Sequence, residues 1–175
     1  IVLLYLCLKN DIVMTLIKSI SGIRGTIGGN VGEGLSPLDV VRFTAAYGTW
    51  IKQNSKVDST KIVVGRDARL SGKMVESLVV GTLIGLGLDV VNIGLASTPT
   101  TEIAVQKEQA CGGLILTASH NPKQWNALKL LNERGEFLND KEGKEVLSLA
   151  EKDQYLFAEV DDLGCVENKD YTQIH

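Results

Sequence analysis

Cysteine is scarce in this chain: three residues in 175, at positions 7, 111 and 165. An odd, dispersed set builds neither a disulfide framework nor the short ligand spacing of a zinc site, and it fits a reducing, cytoplasmic compartment. Long hydrophobic runs are also missing. The apolar opening, residues 1–8, is too short to span a bilayer and lacks the basic n-region and small-residue cleavage site of a signal peptide. Excess positive charge is absent too. The formal net charge is −3, so there is no broad basic field to attract nucleic acid or an acidic membrane. No internal repeat or low-complexity tract is found. Neither a nucleotide-binding glycine loop nor the G-x-S-x-G elbow of a serine hydrolase occurs.

The remaining composition, 44% hydrophobic and 22% charged, is ordinary for a soluble globular domain, and the length suffices for one domain with a full core. Rough apolar alternation predicts a strand over 14–20, followed by a glycine-rich loop, 21–29, that carries Arg24. Such a loop exposes backbone N–H groups to anions, although a surface hairpin with a solvated arginine reads equally well. Ser36-Pro37 caps a helix running to about Gln53, with Tyr47 and Trp50 as packing groups. A strand over 61–65 leads into the loop Arg66-Asp67-Ala68-Arg69-Leu70-Ser71-Gly72. There Asp67 either buttresses one guanidinium while the other faces a phosphate or the next domain, or forms a structural ion pair that fixes the strand-to-helix turn, and Ser71 caps the helix over 72–87. A strand over 88–94 and a helix over 100–109, capped by Thr98, come next. A charged helix over 141–153 is capped by Asn139 or Asp140. Strands alternating with helices at this spacing predict a three-layer α/β/α sandwich on a mostly parallel, mixed sheet.

The stretch 111–131, CGGLILTASHNPKQWNALKLL, holds the centre of the chain. An apolar run over 113–117 reads as a fully buried strand. It stops at Ala118-Ser119-His120-Asn121-Pro122, where Asn-Pro signals a turn. A hydroxyl and an imidazole thus stand side by side on a tight loop at the carboxyl end of a buried strand, where open α/β sheets bind ligands. The next run, 127–131, contains Lys129. As a strand it places Lys129 on the face of Ala127 and Leu131, within reach of the loop. The plain alternative is a charged lysine guarding an edge strand.

GGLILTASHNPKQWNALK resembles the phosphoserine loop of the α-D-phosphohexomutases, the phosphoglucomutase, phosphomannomutase and phosphoglucosamine mutase enzymes. The family pattern is T-A-S-H-N-P followed by N-G-x-K. Here Asn126-Ala127 replaces the usual Asn-Gly, which makes the backbone before Lys129 less permissive. The segments S-G-I-R-G and G-R-D-A-R-L-S resemble two further family loops, in the family's order. The resemblance implies an amino-terminal domain of an isomerase that moves a phosphoryl group between the 1- and 6-positions of a hexose or hexosamine phosphate, through a phosphoserine and a bisphosphate intermediate. It implies that Ser119 carries the phosphate and, through it, ligates Mg²⁺. Lys129 serves as general acid/base, and Arg24 stabilises the transferring phosphate. His120 and Asn121 shape the loop and hydrogen-bond sugar or phosphoserine. The family's Mg²⁺ aspartates and sugar-reading loops belong to domains II–IV, whose motifs are not found here, so the chain by itself is expected to turn over little or nothing.

The resemblance covers residues 14–175. Residues 1–13 are expected to be a leader foreign to the working protein, 14–165 the phosphoserine domain, and 166–175 the start of domain II. The competing expectation is a non-catalytic sugar-phosphate or partner-binding module on the same fold. A sugar-bisphosphate synthase of the same family is a third. Which hexose phosphate is used stays open at this point, with phosphoglucosamine mutases the nearest in appearance at the opening segment.

Overall fold

A computed structural model of the chain describes residues 14–19 and 22–173. The leader expected at 1–13 lies outside the described residues. The chain runs β1 (Ile17–Ser19), β2 (Gly22–Thr26), α1 (Pro37–Asn54), β3 (Lys61–Arg66), α2 (Gly72–Gly85), β4 (Asp89–Leu95), α3 (Thr98–Lys107), β5 (Gly112–Leu116), β6 (Trp125–Leu131), α4 (Asp140–Glu151) and β7 (Val166–Asn168), with a short 3-10 turn at Val160–Asp162. One seven-stranded sheet holds them in the order β1-β2-β6-β5-β3-β4-β7. The half from β5 through β3 and β4 to β7 is parallel, and the half from β1 through β2 and β6 to β5 is antiparallel. The sheet is mixed, as expected, with parallel and antiparallel pairings equal in number rather than mostly parallel. It also extends past residue 165, because Val166–Asn168 pairs with β4.

Two apolar layers follow from the alternation of side chains along each strand. Ile62, Val64, Val90, Leu114, Leu116 and Leu128 meet Val40, Phe43, Tyr47 and Ile51 of α1, Val75, Val79 and Leu83 of α2, and Val146 of α4 on one side. Val63, Val91, Ile115 and Leu131 meet Ala104 and Val105 of α3 on the other. β3 and β5 are covered on both faces, and so read as continuous apolar runs. Tyr47 is fully buried and Trp50 nearly so. Both are packing groups, as expected.

Local capping signals were right where the backbone allowed them. Ser36 and Asn139 each form a reciprocal capping box, with Asp39 and Glu142. α3 is capped by Ser97, whose hydroxyl accepts from the Thr100 amide, and not by Thr98, which is already its first residue. Ser71 stands at the start of α2 with helical φ and ψ (−79°, −6°) and makes no capping bond. A side chain on a helical backbone points away from the N2 and N3 amides, and this hydroxyl accepts from Asn126 Nδ2 at 2.9 Å instead.

The largest revision concerns Arg24. Gly22–Thr26 is a strand between β1 and β6, not a loop. Gly22 makes this possible, since its φ is +121° and a Cβ there would lie 2.5 Å from Leu128 O.

Burial pushes the Cys111 thiol up to about 12, with the Glu133 charge adding to it, and burial likewise raises Tyr47 well above its ordinary value. Stability from these two protonated groups is complete below the ordinary thiol value of 9.0 and is lost as pH climbs toward the folded values. In native protein at pH 8, iodoacetamide is expected to label exposed Cys165 and to spare Cys111. A mass shift on Cys111 matching that on Cys165 in rate would contradict this burial.

Candidate active site

β5 is buried along its whole length, and burial continues through Thr117 and Ala118. At Ser119 the chain emerges into solvent with φ +53°. A residue with a side chain in this left-handed region costs about 1–2 kcal/mol. The surroundings hold it there. The Ser119 amide donates to Thr117 Oγ1 at 3.1 Å, and that hydroxyl donates to Asp67 Oδ2 at 2.6 Å. The Asp67 amide donates to Leu116 O, the last residue of β5. Arg69 reaches across from the loop after β3 and bonds the carbonyl oxygens of Ser119, Asn121, Pro122 and Trp125.

Asp67 and Arg69 form a 3.1 Å ion pair, as the structural reading of this loop expects. Arg66 turns the other way, onto Glu76 of α2, at 2.9 Å. Neither arginine lines the cavity at Ser119.

Arg24 and Lys129 arrive from the antiparallel half of the sheet. Arg24 stands opposite Ala127 in the β2–β6 ladder. It therefore shares a sheet face with Lys129, two residues along β6, and is its diagonal neighbour. The hairpin expected as the plain reading of Arg24 does exist. The arginine in it is half-buried, and its Nε is buried with no hydrogen-bond partner among the described residues. Lys129 pairs opposite Ile115 on a strand with neighbours on both sides, so it is no edge-strand guard. Its Nζ lies 5.6 Å from the centre of the half-exposed Phe137 ring, a contact of about 0.5–1 kcal/mol that an anion would readily outbid. Ala127, where the family more often has glycine, lies in the regular β6 ladder and outside the positive-φ residues, so the substitution brings no backbone strain.

One cavity of about 200 Å³ collects Arg24, Ser119, His120, Asn121 and Lys129, lined also by Gly22, Thr117, Ala118 and Ala127. All five site residues named from the sequence meet there. None of the lining residues is acidic. The arrangement suits a small anion beside a free hydroxyl, with two cationic side chains at hand. Sequence reasoning missed Thr117 and Asn126. Asn126 is fully buried between the Ser71 hydroxyl and the Ala127 amide, and ties β6 to the start of α2. Both lie within the motif read from the sequence, but the partners that give them their roles, Asp67 and Ser71, are 50 and 55 positions away.

A larger cavity, about 640 Å³, opens at the amino ends of β3 and β5, between Lys61, Glu108, Glu133 and Arg134. Several of its charged groups already have partners: Arg134 pairs with Glu136 at 2.7 Å, and Glu108 accepts from Lys169 and Tyr171, which lie outside the lining. Burial works to raise the Glu108 carboxyl, but these bonds and the nearby lysines outweigh it and hold the group below its ordinary value.

As to metal, no group of three or more His, Cys, Asp or Glu side chains among the described residues could hold an ion. At the Ser119 cavity the donors are a hydroxyl, an amide, an imidazole and cations, which do not make a Mg²⁺ site by themselves.

Comparison with known proteins agrees with this geometry. Residues 16–156 match the family model for phosphoglucomutase/phosphomannomutase, alpha/beta/alpha domain I. A phosphoglucomutase/phosphomannomutase of Thermococcus kodakarensis is 36% identical over 114 residues, covering 65% of this chain and 24% of that protein. A phosphoglucosamine mutase of Helicobacter acinonychis is 35% identical over 136 residues, covering 77% of this chain and 30% of its own length. The crystal structure of a phosphoglucomutase/phosphomannomutase family protein from Burkholderia thailandensis superposes with a TM-score of 0.71 over 91% of this chain and 33% of that one; at 22% identity it shows the fold. The chain thus spans about a quarter to a third of the relatives it matches. Its α/β/α sandwich, the order of its three motifs and the match over 16–156 agree: it belongs to the phosphoglucomutase/phosphomannomutase family and carries that family's domain I.

Proposed function

We propose that Ser119 is the phosphate-holding residue of a phosphohexomutase: once phosphorylated by a hexose or hexosamine 1,6-bisphosphate, it gives that phosphoryl group to the free hydroxyl of a sugar monophosphate and, after the resulting bisphosphate turns around, takes back the phosphate at the other position. The observation that carries this reading is the lining of the Ser119 cavity: an exposed hydroxyl with Arg24 and Lys129 and no carboxylate. The names of the relatives, mutases of phosphorylated hexoses and hexosamines, support the substrate class.

The step balances as a phosphoryl exchange. Ser119 Oγ bonds to phosphorus as the bond between phosphorus and the sugar oxygen breaks. The serine proton leaves to a base, and the sugar oxygen gains one. Little covalent help is needed, so position and charge dominate. Arg24 neutralises the oxygens of the moving group. Lys129 is the acid/base group. His120 and Asn121, on the same loop, bond the sugar or the bound phosphate. The return step runs the same path after the sugar turns around. A divalent cation would stabilise charge on the transferred group, and this chain would offer it only the oxygens carried on Ser119. Its remaining ligands would come from elsewhere in a complete mutase, as would sugar recognition, and the chain by itself is expected to take up phosphate with little turnover.

Incubation with glucose 1,6-bisphosphate, followed by peptide mapping, tests the reading. One phosphoryl group is expected on Ser119. Arg24→Ala and Lys129→Ala are each expected to slow its arrival by about 100-fold, the typical cost of one preorganised charge-stabilising or proton-transferring group. Binding of the sugar phosphate with no label on Ser119 would reduce the site to a sugar-phosphate binding module.

A further inference from the structure

The loop that carries Ser119 is held from behind by a guanidinium whose hydrogen-bonding capacity is fully used. Arg69 Nη2 donates to Ser119 O at 2.7 Å and Asn121 O at 2.8 Å. Its Nη1 donates to Pro122 O at 2.8 Å and Trp125 O at 3.1 Å, and its Nε to Asp67 Oδ2 at 3.1 Å. An arginine has five N–H donors, and here each has its acceptor. The side chain is 11% exposed, is charge-balanced by Asp67, and does not line the cavity. It therefore has nothing left to offer a substrate.

What it does offer is geometry. The carbonyl of Ser119 is pinned by Arg69, and the amide of Ser119 is pinned by the Thr117 hydroxyl. Thr117 in turn donates to Asp67, the same carboxylate that receives Arg69. The circuit closes on both sides of the Ser119 Cα, at the one residue of the loop with φ in the left-handed region. It also draws four carbonyl oxygens toward the guanidinium. A loop that must carry a phosphate dianion gains by having those oxygens bound elsewhere.

We propose that Arg69 is a positioning residue for phosphoryl transfer: by capturing four carbonyls it holds Ser119 left-handed, with its hydroxyl presented to Arg24 and Lys129. This rests, for its kinetic consequence, on the reading of Ser119 as phosphate carrier. A lysine keeps the charge but has three donors on one atom and cannot span the loop. Charge and geometry are thereby separable.

The test uses the whole chain with two variants, Arg69→Lys and Arg69→Ala, and two readouts. Transfer from glucose 1,6-bisphosphate to Ser119, followed in single turnover, is expected to slow about 100-fold in both variants, the usual consequence of a displacement near 1 Å. The half-saturating concentration of the bisphosphate is expected to stay as in the unsubstituted chain. Millimolar guanidinium ion is expected to restore transfer in Arg69→Ala and to leave the unsubstituted chain unaffected. Amide hydrogen exchange is expected to quicken about tenfold at residues 118–125 and to keep its rate in β3 and β5. Transfer by Arg69→Lys at the original rate, with loop amides still protected, would overturn the proposal. So would protection lost evenly across the sheet, the mark of a residue that serves stability in general. If the unsubstituted chain takes up no phosphate, the reading of Ser119 fails, while the exchange readout still decides whether Arg69 holds the loop.

Discussion

Phosphate uptake is expected to vanish in both Ser119→Ala and Ser119→Gly, and the two variants are expected to part company in stability. The first half follows from chemistry: without Oγ no acceptor exists for the phosphoryl group. The second follows from the backbone. At φ +53° alanine keeps the steric cost of a Cβ in the left-handed region, and glycine removes it. Glycine also loses more chain entropy on folding, which offsets part of the gain. The balance is expected to leave Ser119→Gly more stable than Ser119→Ala by about 1 kcal/mol, roughly 2–4 °C in melting temperature for a domain of this size. A removal of function that raises stability is what a strained functional residue should show. If alanine melts higher than glycine, Ser119 is not held left-handed. Phosphate found on another residue in both variants would mean that a different nucleophile does the work.

The second large effect is expected in the core beneath β5. Tyr47 is fully buried, and its hydroxyl donates to Leu131 O at 2.7 Å, with Gly113 O at 3.1 Å. The fit is close: a Cβ built on Gly112 would collide with that hydroxyl. Tyr47→Ala removes the ring, opens a cavity between α1 and β5, and takes the donor from two strand carbonyls. The expected loss is about 4 kcal/mol, a fall of roughly 10–15 °C in melting temperature. Tyr47→Phe keeps the ring and costs about 1–2 kcal/mol. Because Tyr47 meets the amino end of β5, and Ser119 follows its carboxyl end, Tyr47→Phe is expected to take up phosphate at the ordinary rate. A drop in uptake comparable to that of Arg24→Ala would mean that strain at one end of β5 is felt at the other.

The site was unusually legible because most of it is contiguous. A buried run ending in Asn-Pro marks a strand followed by a tight loop, and Ser119, His120 and Asn121 lie on that loop by chain connectivity alone. Lys129 is ten residues on, and the two-residue period of a strand assigns its face. The errors share one cause. Thr98 and Ser71 have the right side chains for caps, but a cap depends on backbone angles that the neighbouring residues impose. Arg24 was placed on a loop because glycines surround it, whereas Gly22 and Gly25 are there to let β2 pass close to Leu128 and Leu35. Lys129 offered itself as an edge residue because pairing on both sides of β6 comes from segments far away in the chain.

The residue pattern by itself determined the α/β class, the helix starts at Ser36 and Asn139, and the identity of Ser119 and the four residues around its hydroxyl. Those depend on local propensity, periodicity and motif, which are properties of adjacent residues. Tertiary structure decided the order of the strands, the joining of Arg24 to Lys129 across β2 and β6, and the closure of Arg69, Asp67 and Thr117 around Ser119. The joining of Arg24 to Lys129 and the closure around Ser119 depend on hydrogen bonds between groups about 50 or more positions apart, and such bonds are satisfied only once the sheet has brought its loops to one end.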